Sequence, residues 1–204
     1  MSTRVLTIIA CILLFAGGIF AGLQFAGKPS GPGPGAPELQ VATYMPAGRP
    51  LQDFQLIAAD GSALHSADLA GNWTVVFMGF TNCGHVCPMT LFTVSEALKK
   101  LDRRPEVLFV SVDPGRDTPE QIAGYVAGFD PAFRGATGDE AQLDRLAESL
   151  GAPYFVSTDD GRYTVDHSGA LFVIDPAGRF RALLSPPHDA EVIAADLGAI
   201  LAAS

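Results

Sequence analysis

Three features of this 204-residue sequence predict an α/β fold built on a parallel pair of strands. Two apolar runs of buried-strand character, residues 73–80 (WTVVFMGF) and 107–112 (VLFVSV), flank a helical stretch at 88–101. Strand, helix and strand in that order make a right-handed βαβ crossover, because parallel strands need a connection long enough to return over the sheet. The third feature is a change of character after residue 153. Residues 154–157, 163–167, 170–174 and 180–184 are short β-type runs, punctuated by Asp160-Gly161 and by Asp175-Pro176-Ala177-Gly178. Such turns predict antiparallel hairpins.

Taken from the start, residues 5–26 are almost unbroken apolar sequence without a charge. As a helix at ~1.5 Å per residue the run is roughly 33 Å long, enough to cross a bilayer core. Arg4 and the amino terminus precede it, which places the N-terminus in the cytoplasm and the remainder on the exported side, with Lys28 opposing that bias. The run exceeds the apolar region of a signal peptide and no A-x-A-like site follows it, so an uncleaved anchor is expected, with a cleaved signal as its competitor. Cys11 is a small apolar member of the span. The expected organisation is an anchor at 1–27, a Pro/Gly-rich tether and lead-in at 28–50, and a folded domain at 51–204.

Within the domain, residues 53–69 alternate two short strands about an Asp60-Gly61 turn, a hairpin that carries His65. The helix at 88–101 opens on Pro88, whose missing N–H would be unpaired at a first helical position, and it spaces Leu91, Val94, Leu98 and Leu101 along one buried face. The second central strand turns out through Asp113-Pro114-Gly115. Asp117-Thr118-Pro119-Glu120 then caps a helix to about Gly128, a further helix at 139–150 is stopped by Gly151, and an amphipathic helix at 189–202 closes the chain. This order, around a cysteine pair at a strand-to-helix junction, is a thioredoxin-like plan with an N-terminal β extension and an added β-hairpin, preceded by one transmembrane helix. The 22 acidic residues outnumber 13 basic ones for a formal charge of −9, without a basic run, which makes nucleic acid a poor partner.

The chemistry gathers at TNCGHVCP. Cys83 and Cys87 lie one helical turn apart if the loop is already winding, so both sulfurs can face one point, which suits a metal or a disulfide. The positive end of the helix favours thiolate there. Thioredoxin-type redox motifs place two residues between the cysteines; three widen the loop, and two thiolates can then act as soft ligands to one ion. A third donor must come from His65, His85, His167 or His188. His167, in YTVDHSGALFVID, stands out because the loop entering that hairpin faces the cysteine loop in such a fold. A Cys2His set fits Cu(I) as a trigonal site and Cu(II) with an added ligand, and zinc accepts it too. His65 and His188 are expected on the surface, Met78 and Met89 in the core, and Asp113 and Asp117 as turn and cap residues.

TNCGHVCP, SVDPGRDTPE and VDHSGALFVIDPAGR, in that order behind one membrane span, resemble the Sco family of copper-binding, thioredoxin-fold proteins. The similarity covers roughly residues 54–200, and the conjunction of three motifs is specific where C-x-x-x-C alone would be weak. The resemblance implies a membrane-tethered copper chaperone that delivers copper to the binuclear site of cytochrome c oxidase, acting on the copper-bearing subunit. Its alternative is a thiol-disulfide oxidoreductase that keeps the cysteines of that subunit, or of another exported protein, reduced. The resemblance also implies Cys83, Cys87 and His167 as copper ligands, Cys83 and Cys87 as a redox pair, and Asp113 as a carboxylate beside the site. Family members usually carry Pro-Asp after the first cysteine, where this chain has Gly84-His85, so that Gly84 loosens the loop or His85 adds a fourth donor. The expected location is the cytoplasmic membrane with the domain on the periplasmic side, where a thiol reductant protein must keep the pair reduced.

Overall fold

The structure, a computed structural model, describes residues 37–158 and 163–203. The expected anchor at 1–27 with Cys11, the tether as far as residue 36, and the Asp160-Gly161 turn lie outside the described residues. Among the described residues no helix is long and apolar enough to cross a membrane.

The central strand is β4 (Thr74–Gly79), buried at every position, and it pairs in parallel with β5 (Glu106–Ser111) from Thr74 opposite Glu106 to Gly79 opposite Ser111. Helix α1 (Val86–Leu98) is the crossover between them. β5 passes in parallel to β6 (Arg134–Thr137), and the hairpin of β2 (Gln55–Ala58) and β3 (Ala63–His65) joins β6 antiparallel. On its other side β4 takes β9 (Leu171–Ile174) antiparallel, then β10 (Arg179–Leu184), with β1 (Ala42–Pro50) at the edge. The eight-stranded order is β1-β10-β9-β4-β5-β6-β2-β3. The remaining helices are α2 (Pro119–Ala127), α3 (Glu140–Leu150) and α4 (Ala190–Ala202).

Alternation along β4 builds two core layers, since successive side chains of a strand point to opposite faces. Trp73, Val75 and Phe77 pack with Leu91, Val94 and Leu98 of α1 and with Ile193, Leu197 and Ile200 of α4. Val76 and Met78 pack on the other face with Leu108, Val110 and the α3 residues Leu143 and Leu146. Each such side chain contributes about 1.5–3 kcal/mol on burial, so the strand that delivers the cysteine loop is the most firmly held part of the sheet.

Several expectations need revision. α1 begins at Val86, so Cys87 is already helical and Pro88 stands third in the helix, not first. The N–H groups of a first turn have no partner within the helix, and proline costs little there. β6 was not foreseen, because RGAT has neither an apolar run nor clean alternation. Its Gly135 is required by close packing: a Cβ there would sit 2.2 Å from Cγ2 of Ile122. Sheet structure starts at Ala42, ahead of residue 51. The four late β runs do form two antiparallel hairpins, but in separate sheets: β9 and β10 belong to the main one, while β7 (Tyr154–Ser157) and β8 (Thr164–His167), among the described residues, pair with each other alone. The caps agree with the sequence: Thr118 and Gln121 form a capping box, and Gly151 takes the left-handed conformation after α3.

The edge strand is fastened by one carboxylate. Asp196 of α4, 1% exposed, accepts hydrogen bonds from the N–H groups of Gln40 (2.7 Å), Val41 (3.0 Å) and Ala42 (2.8 Å). Asp196→Ala is expected to lower the unfolding free energy by about 2 kcal/mol in urea titrations, with Asp196→Asn recovering part of it; an unchanged midpoint in Asp196→Ala would refute this anchoring.

Candidate metal centre

Past Gly79 the chain leaves the sheet and would be a free loop but for Asp117. This carboxylate, 1% exposed, accepts from the Thr81 N–H (2.8 Å), the Thr81 hydroxyl (2.6 Å) and the Ser111 hydroxyl (2.5 Å). The loop then winds into α1, where the Cys87 N–H donates to Sγ of Cys83 at 3.3 Å. Cys87 is fully buried and Cys83 partly so, and both are free thiols. Gly79 makes room for the inner sulfur: a Cβ there would fall 2.9 Å from Sγ of Cys87 and 2.9 Å from the Phe109 ring.

The histidine arrives from the other sheet. His167 ends β8 with Nδ1 3.0 Å from the carbonyl of Ser168 and Nε2 3.2 Å from Sγ of Cys87. A carbonyl can only accept, so Nδ1 carries the proton and the Nε2 lone pair points at the sulfur, accepting the Cys87 S–H. The ring is edge-on to Phe77 (5.9 Å between centroids) and to Phe80 (5.7 Å), which fixes its plane. The donor atoms of Cys83, Cys87 and His167 all lie within 4.8 Å of one another.

The two thiols are not equivalent. Burial works against the Cys83 thiolate, but the N–H of Cys87, the thiol of Cys87 and the N–H groups of His85 and Val86 outweigh it and bring its pKa below the ordinary thiol value. Burial dominates at Cys87 and pushes its pKa far above that value; the neighbouring Cys83 sulfur and the Asp117 charge push the same way. Cys83 is thus the more readily ionised sulfur of the pair, and a positive ion sharing the pocket would favour ionisation of Cys87.

The remaining predicted residues are placed elsewhere. His85 is the exposed N-cap of α1, makes no side-chain capping bond and is not in the group of three donors. Asp113, fully buried, is also outside it: its carboxylate accepts from Nε of Arg116 (2.6 Å) and from the Tyr163 hydroxyl (2.5 Å). His65 is exposed, whereas His188 is half-buried and donates through Nε2 to the Gly169 carbonyl at 2.7 Å, next to the His167 turn. Met78 is in the core, but Met89 is 51% exposed, a correction that follows from the start of α1 at Val86. Sequence reasoning took Asp117 for a cap residue and missed its hold on the cysteine loop.

Residues 44–202 match the family model described as SCO1/SenC. Among curated relatives, the mitochondrial SCO1 homolog 1 of Arabidopsis thaliana is 34% identical over 144 residues, 68% of this chain and 43% of that protein, so the chain spans less than half its length. Two solved structures are similar across nearly their whole length. Arabidopsis thaliana ScoI with copper bound has a TM-score of 0.70 and 30% identity, covering 75% of this chain and 98% of that one. Bradyrhizobium japonicum ScoI with copper bound has a TM-score of 0.64 and 36% identity, covering 72% and 97%. With a thioredoxin-like α/β sheet, a C-x-x-x-C strand-to-helix junction and a histidine brought to it from a separate hairpin, this chain belongs to the SCO1/SenC family.

Proposed function

We propose that this chain is a membrane-tethered copper chaperone that takes copper through Cys83, Cys87 and His167 and assists assembly of the copper site of cytochrome c oxidase. One observation carries the reading. Two sulfurs and an imidazole nitrogen converge within 4.8 Å, and the nitrogen is the unprotonated one because Nδ1–H is committed to Ser168. Soft thiolates with one imidazole suit copper, and a histidine held through its other nitrogen is a common feature of metal ligands. Copper is the cargo here, and the chain contributes the donors, their tautomer and a pocket walled by Phe77, Phe80 and Phe109. The anchor at 1–27 would hold the domain on the periplasmic side of the cytoplasmic membrane, where the oxidase's copper-bearing subunit is the receiving partner and a thiol reductant protein keeps the dithiol reduced.

A second reading, thiol-disulfide exchange, is favoured by the inequality of the thiols. The Cys83 thiolate would attack one sulfur of a partner disulfide and release the other as thiolate. Cys87, passing its proton to Nε2 of His167, would then displace the bound sulfur, which leaves a Cys83–Cys87 disulfide and a partner reduced by two electrons. His167 would be a ligand in the copper reading and only a proton acceptor, replaceable by water, in the exchange reading, so His167→Ala should remove tight copper binding in the one and leave exchange slowed but present in the other.

A Cu(I) competition titration of the reduced full chain in detergent should show one tightly held equivalent. Losing even an outer hydrogen-bond partner of a ligand weakens metal binding by about 10–100-fold, so Cys83→Ala, Cys87→Ala and His167→Ala should each weaken it at least that much. Equal affinity in all four proteins would refute the copper reading. Separately, iodoacetamide on the metal-free reduced chain should modify Cys83 much faster than Cys87. Its rate should reach half its maximum at a pH below that of a free cysteine; equal rates at the two sulfurs by mass spectrometry would contradict the inferred thiolate.

A further inference from the structure

The hairpin that carries His167 shares no ladder hydrogen bonds with the main sheet, so something else must set where the third donor lies. Alternation along β8 answers this. Tyr163, just ahead of β8, and Val165 and His167 within it occupy every second position: Val165 and His167 are half-buried, Tyr163 is 39% exposed but turns its hydroxyl inward, and Thr164 and Asp166 alternate with them as exposed residues. Val165, like Tyr154 of β7, which is paired with His167, packs on the core layer beneath the sheet. His167, at one end, reaches Cys87. Tyr163, at the other end, is gripped twice: its hydroxyl donates to Asp113 at 2.5 Å, and the Arg116 guanidinium lies 3.9 Å from the centre of its ring.

The grip is itself rigid. Asp113 is fully buried just past the end of β5, and Arg116 both donates to it at 2.6 Å and stands over the Phe80 ring, against which the His167 imidazole rests edge-on. Tyr163 therefore fastens the far end of the strand to the same structure that walls the near end.

We propose that Tyr163 is a positioning residue for the metal centre: by bonding Asp113 and stacking on Arg116 it holds β8 in the register that presents Nε2 of His167 to Cys83 and Cys87. This rests on the copper reading for its functional meaning, although the geometry it asserts exists in the metal-free chain. The ring supplies the stacking and the hydroxyl the hydrogen bond, so Tyr163→Phe removes one contact and Tyr163→Ala removes both.

The test uses the reduced full chain in detergent, as wild type, Tyr163→Phe, Tyr163→Ala, His167→Ala and Tyr163→Ala/His167→Ala, with two readouts. In Cu(I) competition titrations Tyr163→Phe should weaken binding by about tenfold, the worth of one hydrogen bond to a charged group. Tyr163→Ala, which also loses the stacking, should weaken it further, and the double variant should bind no more weakly than His167→Ala alone. In long-range imidazole nitrogen NMR of the metal-free chain, the Nδ1–H tautomer of His167 should be well defined in wild type and averaged in Tyr163→Ala. Wild-type affinity in Tyr163→Ala, or an equal loss with and without His167, overturns the proposal. If His167→Ala itself leaves Cu(I) binding unchanged, the copper reading fails and the nitrogen spectrum decides alone: an unaltered His167 tautomer in Tyr163→Ala then overturns the positioning role.

Discussion

A carboxylate buried at the ends of two parallel strands must find donors, and in this protein the cysteine loop supplies them. Removing a charged oxygen pair from water costs several kcal/mol unless hydrogen bonds replace the lost hydration. Asp117 regains them from Ser111, at the end of β5, and from the backbone and hydroxyl of Thr81, at the exit of β4. The parallel register makes this possible by setting Gly79 opposite Ser111. Thr81 is thus tied to the sheet, and Cys83, two residues on, leaves from a determined point. The same charge bears on the chemistry, since it adds to the burial that keeps Cys87 protonated. One group fixes the loop, and its charge adds a small push to the burial that sets the two sulfurs apart.

That division explains why the histidine belongs where it is. A buried, protonated Cys87 needs an acceptor for its S–H, and Nε2 of His167 is that acceptor at 3.2 Å. A metal ion would replace the shared proton between the same two atoms, so the metal-free hydrogen bond already has the lines of the coordination set. Ser168 makes the arrangement specific. Its carbonyl holds the proton on Nδ1 and forbids the tautomer in which Nε2 would oppose a cation.

Much of this was legible in the sequence because it depends on local rules. The strands at 74–79 and 106–111 announce themselves by unbroken apolar runs, and the Cys83, Cys87 and His167 set by spacing and by the turn before a strong β run. What escaped depends on contacts distant in sequence. β6 is a strand because a parallel neighbour on one side and the β2 hairpin on the other complete its hydrogen bonds, not because RGAT favours extension. Met89 looked like a core sulfur beside apolar neighbours, yet a helix that starts at Val86 turns it outward. Asp117 is a good cap candidate by its neighbours, and only the tertiary fold reveals that Thr81 and Ser111 use it instead. Gly84-His85 raised the prospect of a fourth donor, but the loop spends His85 on starting the helix and leaves its ring outside the donor group.

The division of the three donors between two sheets has an energetic consequence under the proposed chaperone reading, in which copper must leave again. Two donors stand on the strand-to-helix junction of the main core, where any movement would disturb the burial of Phe77, Leu91 and Val94. The third stands on a hairpin that, among the described residues, shares no strand ladder with the main sheet, and whose inward contacts are His167 on Phe77, Phe80 and Cys87, Val165 and Tyr154 on the core layer, and Tyr163 on Asp113. The cost of withdrawing it is set by a few side-chain contacts, chiefly Tyr163 on Asp113 and Arg116, and Tyr154 donating to Asp144 at 2.8 Å. Contacts of that kind total a few kcal/mol, against the tens that core disruption would require. On the copper reading, a three-donor site would become a two-donor site by moving this hairpin and leaving the strand-to-helix junction in place, and a ligand from a partner would take the position of His167.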